Sequence, residues 1–196
     1  MTKHLIQKNK DDLTKVGVVM LDLQPSLLGS IEVGDQLVDS CILLSTSANQ
    51  LNYPILITEQ VPHKLGSTVG SFTQHVQSDH IFRKSSFSAF GCEEFCEKIS
   101  KLNLEHLVIS GVETSICVYL TALDARNKGL EVTVVSDCVG CRRTADGEVA
   151  LSQLRAVGVS VISLETFLFS CLGSAEHNKF REVSSLIKSR VLRGAT

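Results

Sequence analysis

The chain has 196 residues and a formal net charge of −2; 43% of its residues are hydrophobic, 20% are charged and three are proline. A domain takes about 100–200 residues, so this length is that of one domain, and the composition supports a full core rather than a disordered or fibrous chain. The near-neutral charge and the lack of a Lys/Arg block argue against binding to nucleic acid or to a membrane surface by bulk charge.

The longest apolar runs, Val16–Leu23 and Gln50–Thr58, are strand-sized and well short of the roughly 20 residues of a membrane helix. Met1–Leu13 is polar and lacks the apolar stretch of a secretory signal. Seven cysteines, an odd number without such a signal, fit a reduced, cytoplasmic protein. No repeat or Pro/Gly/Ser-rich linker divides the chain, so residues 1–196 are read as one domain.

In chain order, Val16–Asp22 is a continuous apolar strand ending in a carboxylate. Asp35–Leu51 has helical spacing, and Pro54–Glu59 is a second strand with proline at its first position. Gly66–His75 reads as a loop over the strand ends. Asp79–Lys84 is a third strand, Gly91–Lys101 a helix and Glu105–Gly111 a fourth strand. Thr114–Lys128 is a helix closed by Gly129. Glu131–Asp137 is a fifth strand, Asp146–Val157 a helix closed by Gly158, and Val159–Leu164 a sixth strand. Thr166–Leu172 and Ala175–Arg190 are terminal helices. Apolar strands alternating with helices imply a doubly wound, Rossmann-like α/β domain with a six-stranded parallel sheet, helices on both faces, and the order 3-2-1-4-5-6.

In such sheets ligands bind beyond the carboxyl ends of the strands, where the order reverses. Asp22 closes strand 1, Glu59 and Gln60 strand 2, and Arg83 and Lys84 strand 3. Cys117 follows strand 4. With Thr114 or Ser115 as N-cap, Cys117 falls in the first turn of a helix, whose positive end favours a thiolate and whose N–H groups can hold an oxyanion. A small buried hydrophobe is the competing reading of Cys117. Asp22 is a candidate base for the thiol, and a carboxylate at the end of a buried strand is costly unless it is paired or functional. Lys84 is a candidate counter-charge, with an ordinary strand-end lysine as the alternative.

Other signals are weaker. Cys138 and Cys141 form a CxxC in a strand-to-helix turn, open to a dithiol reading but without the further ligands of a zinc site. Cys92 and Cys96 share one face of a packed helix. The histidines form no HxH or HExxH, and no phosphate-cradling glycine motif follows strand 1, so neither metal nor other cofactor is expected. Gln24, Gln60 and Phe87 are candidates to line a pocket. The stretch from Pro62 to Gln77 would carry specificity.

Asp22-Leu23-Gln24, Lys84 before Ser85–Phe90, and Gly111–Val118 together resemble the isochorismatase-like cysteine hydrolases. Thr58–Val69 and His177–Lys188 are similar to the eukaryotic isochorismatase domain-containing members. The resemblance implies an Asp–Lys–Cys triad at Asp22, Lys84 and Cys117, a cis peptide at Val112–Glu113, and a homo-oligomer, with Phe167–Leu172 as a candidate contact. It implies hydrolysis of a small amide or related C–N acyl compound through a Cys117 thioester, with Ile116 and Cys117 N–H groups as oxyanion donors. The Asp-x-His metal set of the nicotinamidases is missing where Glu59-Gln60-Val61-Pro62-His63 stands. Two rival functions remain at this stage: a catalytically idle binding or scaffold protein, and thiol redox through Cys138/Cys141.

Overall fold

A computed structural model describes residues 15–32, 34–74 and 76–193. The polar segment Met1–Leu13 and His75, the end of the expected loop, lie outside the described residues. The chain forms one six-stranded parallel sheet in the order β3-β2-β1-β4-β5-β6. Its strands are β1 (Val16–Leu21), β2 (Ile55–Gln60), β3 (Ile81–Lys84), β4 (His106–Val112), β5 (Glu131–Gly140) and β6 (Ser160–Ile162). The helices are α1 (Pro25–Leu28), α2 (Gly34–Gln50), α3 (Pro62–Leu65), α4 (Gly70–Thr73), α5 (Glu93–Lys101), α6 (Tyr119–Asn127), α7 (Thr144–Ala156), α8 (Leu164–Leu172) and α9 (Phe180–Arg193).

Every residue of β1 and β4 is buried, because helices cover both sheet faces. Side-chain alternation divides the core into two layers. Val16, Val18 and Met20 face a cluster built with Cys41, Leu44, Phe167 and Val183 from α2, α8 and α9. Val19 and Leu21 face the opposite cluster, with Phe95, Val118, Ala122 and Leu154. The middle strands β1 and β4 run in register, with Leu21 beside Gly111. At Gly111, φ is +110°, and a Cβ there would lie 2.0 Å from the Leu21 carbonyl oxygen. Only glycine allows the two backbones to approach so closely at this conformation.

Several expected boundaries move, each for a local reason. The expected loop from Gly66 holds the single turn α4, and α3 stands just before it. β3 starts at Ile81, because Ser78–His80 form a tight turn in which the His80 ring bonds the Ile55 carbonyl at 2.9 Å and Asp79 pairs with Lys98. β5 continues to Gly140, so Cys138 is a strand residue and not part of a turn. β6 ends at Ile162, because Ser163 caps α8 by accepting the Thr166 N–H. The expected contact segment Phe167–Leu172 is largely core: Phe167 and Leu168 are wholly buried, and Phe169 is the exposed member.

Candidate active site

The site lies at the carboxyl ends of β1, β3 and β4. The chain leaves β1 through Asp22, which takes a left-handed conformation at φ 55°. Aspartate tolerates this region better than most residues. The turn is held by Gln24 N–H on the Asp22 carbonyl at 2.7 Å and by Asp22 N–H on the Thr58 carbonyl at 3.1 Å. Its carboxylate is thereby aimed across the strand ends. Oδ1 accepts the Thr58 hydroxyl at 2.6 Å, and Oδ2 accepts Lys84 Nζ at 2.7 Å. Both side chains of the Asp22–Lys84 ion pair are 0% exposed. A buried pair of this kind gains little net stability unless its remaining hydrogen-bonding capacity is satisfied.

That capacity is well satisfied. Besides Asp22, Lys84 Nζ donates to Gln60 Oε1 at 2.5 Å, to the Phe87 carbonyl at 3.2 Å and to the Ser86 carbonyl at 3.3 Å. Its fifth neighbour is Cys117 Sγ at 3.7 Å. Asp22, Lys84 and Cys117 are therefore brought together, as the sequence reading expects.

Cys117 sits in a wide turn, Thr114–Val118, rather than in a regular α-helical first turn. One carbonyl, that of Glu113, accepts both Ile116 N–H and Val118 N–H at 3.1 Å. The i→i+5 bond widens the helix entry, a device common at functional sites. The residue that caps this turn is Glu113, without a side-chain cap bond, and not Thr114 or Ser115. The Val112–Glu113 peptide is cis. The Ile116 N–H is committed to Glu113, which corrects its assignment as a free oxyanion donor.

The electrostatics also differ from the expected lowered thiol pKa. Burial pushes the Cys117 thiol up to about 12, and the Asp22 charge adds to the rise, outweighing Lys84 and the Glu113 backbone. Cys117 is 6% exposed, so the loss of water around a thiolate exceeds what the helix end returns. The resting site thus holds a protonated thiol beside an Asp–Lys ion pair. The arrangement suits a nucleophile that loses its proton to the neighbouring carboxylate as it attacks.

The three expected pocket residues differ in their placement. Gln24 is wholly buried, and its amide bonds the backbone of Gln60 on both edges, Nε2 to O at 3.0 Å and Oε1 from N at 2.7 Å. It also donates to the Gly66 carbonyl. Gln24 therefore ties the first loop to the end of β2. Gln60 is a second strut, linking Lys84 to the Ser85 carbonyl at 2.9 Å. Phe87 is 57% exposed, with its carbonyl rather than its ring directed at Lys84.

Sequence reasoning missed Thr58, although its place in β2 beside the end of β1 was a usable signal. It also missed the ion pair between Glu113 and Arg142, which links the Cys117 turn to the β5–α7 connection. None of the seven cysteines is in a disulfide; Cys138 is fully buried, and the Cys141 thiol donates to the Arg143 carbonyl at 3.1 Å. Among the described residues, no three of His, Cys, Asp or Glu are grouped as metal ligands, and no helix is long and apolar enough to cross a membrane.

Comparison with known proteins agrees with this architecture. The sequence is 35% identical over 170 residues to isochorismatase domain-containing protein 2 of Xenopus laevis, covering 86% of this chain and 81% of that protein. A structure titled MAR1 ribonuclease from Caenorhabditis elegans superposes with a TM-score of 0.83 at 30% identity, covering 89% of this chain and 90% of that one. The YcaC protein of Escherichia coli, described as an octameric hydrolase of unknown specificity, shares the fold at a TM-score of 0.87 and 20% identity, covering 98% and 94% of the two chains. The isochorismatase domain model matches residues 16–166, with all six strands inside the match, and the chain belongs to the isochorismatase family.

Proposed function

We propose that this hydrolase-family protein cleaves a small amide, or a related C–N acyl compound, through a Cys117 thioester and without a metal. The observation that carries the reading is the contact of Lys84 Nζ with both Asp22 Oδ2, at 2.7 Å, and Cys117 Sγ, at 3.7 Å, in a buried site. As sulfur forms its bond to the carbonyl carbon, the thiol proton moves to Asp22 and the π electrons move to oxygen. The Cys117 N–H is the backbone donor assigned to that oxyanion. Collapse breaks the C–N bond while Asp22 returns the proton to the leaving nitrogen. Water, deprotonated by Asp22, then attacks the thioester; the C–S bond breaks and sulfur recovers its proton. Lys84 keeps a positive charge beside Asp22 and the sulfur throughout.

The family assignment supports a hydrolase, and the paired acid and thiol favour acyl chemistry. The net charge of −2 offers no overall cationic surface for RNA, so the ribonuclease title of the nematode protein is not carried over. The octameric bacterial protein of the same fold supports a homo-oligomer, checked by light scattering, and seven cysteines without a disulfide support a reducing compartment such as the cytoplasm. The decisive experiment exposes the protein to a panel of small amides and follows ammonia release and the mass of Cys117. An acyl adduct on Cys117, and loss of turnover in a folded Cys117→Ala variant, are expected. No turnover and no adduct with any amide would move the assignment to a binding or scaffold role.

A further inference from the structure

Glu113 is the hub of the turn that carries Cys117. Its carbonyl accepts Ile116 N–H and Val118 N–H, each at 3.1 Å, and its backbone is also a hydrogen-bonding partner of the Cys117 sulfur that favours the thiolate. Three contacts around the thiol therefore depend on where one stretch of backbone sits. The Glu113 side chain is 10% exposed, and among the described residues Arg142 is the one cation within 4.0 Å of its carboxylate. A carboxylate so placed is costly without a counter-charge, and the remedy open to it is to turn toward water and take its backbone along.

Arg142 lies outside the triad, in the connection between β5 and α7, and its side chain is largely exposed. That connection packs directly on the Cys117 turn. At Gly147, in the first turn of α7, an added Cβ would lie 3.7 Å from Thr114 Cβ and 2.5 Å from Cys141 Sγ. The ion pair thus spans two segments that are already in contact. The neighbouring Arg143 is engaged elsewhere, with Asp146 at 3.2 Å, so the hold on Glu113 falls to Arg142.

We propose that Arg142 is a positioning residue for Cys117: by holding the Glu113 carboxylate it fixes the backbone that shapes the turn around the thiol. The effect on turnover rests on the hydrolase reading above, but the effect on the thiol itself does not.

Iodoacetamide labelling at pH 8, mapped by peptide mass, reads the thiol without a substrate, and the buried Cys171 in the same digest reports global opening. Arg142→Gln frees Glu113, whose backbone then no longer steadies the thiolate. Cys117 labelling slows about fivefold, the worth of one partly exposed ion pair, while Cys171 is unchanged. Arg142→Lys, which keeps a cation, restores part of that rate. In a Glu113→Gln background no carboxylate is left to hold, and adding Arg142→Gln slows labelling by less than about twofold further. Turnover of an amide found active in the panel falls about fivefold through kcat, with KM kept. Labelling that Arg142→Gln leaves unchanged or speeds, Arg142→Lys as slow as Arg142→Gln, or an undiminished loss in the Glu113→Gln background overturns the proposal. Labelling that follows the cycle in a protein that turns over no amide upholds the role of Arg142 and refutes the hydrolase reading instead.

Discussion

Asp22→Asn separates the charge that Asp22 sets beside Cys117 from the proton transfer proposed for it. In the resting site its negative charge, after burial itself, is the largest cause holding the thiol near 12, whereas Lys84 pulls the other way. Lys84 Nζ lies 2.7 Å from Asp22 Oδ2 and 3.7 Å from Cys117 Sγ, so carboxylate and sulfur share one ammonium. A charge at such range shifts a titrating group by about one to three pKa units. Asparagine retains the size, removes the charge and leaves Lys84 with sulfur as its anionic partner. Each unit gained multiplies thiolate tenfold, but nucleophilicity falls with pKa with a Brønsted slope of about 0.4–0.5. The net acceleration of Cys117 alkylation at pH 8 is therefore about 4- to 40-fold. Hydrolysis moves the opposite way, dropping by about 10²–10⁴ with the loss of proton transfer. Iodoacetamide labelling, followed by peptide mass mapping of Cys117, reads the first effect, and ammonia release reads the second. Breaking a buried pair costs about 3–5 kcal/mol, so both assays belong well below the variant's unfolding temperature. Unchanged or slower alkylation in a folded Asp22→Asn protein would refute the reasoning, because Asp22 would then be supporting a resting thiolate.

Alkaline stability gives a second test. Cys117 and Cys171 are each raised from 9.0 to about 12, chiefly by burial, so each stabilises the fold fully below pH 9 and loses that contribution as pH rises toward 12. By linkage each accounts for about 2.5 kcal/mol between pH 8 and pH 11. Urea unfolding of Cys171→Ala should lose about that much less than the unmodified protein over the same range; parallel curves would contradict it. A third test is Gly111→Ala, which sets a Cβ 2.0 Å from the Leu21 carbonyl oxygen at φ +110° and should cost at least about 3 kcal/mol. Gly129→Ala is its control, with φ +83° but nothing within 4 Å of the added Cβ, and should cost only about 1 kcal/mol. Equal denaturation midpoints for the two would remove the close-approach explanation.

Hydrophobic patterning made the sheet legible because strands covered on both faces are continuous apolar runs, and no other element of this length looks like Val16–Leu21 or His106–Val112. Strand order and the position of Asp22, Lys84 and Cys117 follow from the same rule about carboxyl ends. What escaped were features set by three-dimensional competition for hydrogen bonds. The Glu113 carbonyl takes two N–H groups and widens the turn before Cys117, and nothing in Thr114–Val118 signals that choice. The direction of the Cys117 pKa was misjudged because a helix end is local, whereas burial and the Asp22 charge come from the packed sheet. Gln24 looked like a ligand-facing group, but Gln60, 36 residues away, supplies the backbone edge that occupies it.

The protonated state of Cys117 bears on how this protein survives oxidants. Peroxide attacks thiolates, and the cysteines most readily converted to sulfenic acid are exposed and acidic. Cys117 is 6% exposed and keeps its proton at rest, so an empty site presents peroxide with a poor target. On the proposed mechanism, its nucleophilicity is called up only when a carbonyl compound arrives to share the proton's departure with Asp22. The same burial that makes the thiol a reluctant acid therefore shields the sulfur of Cys117 from oxidation without a resolving partner.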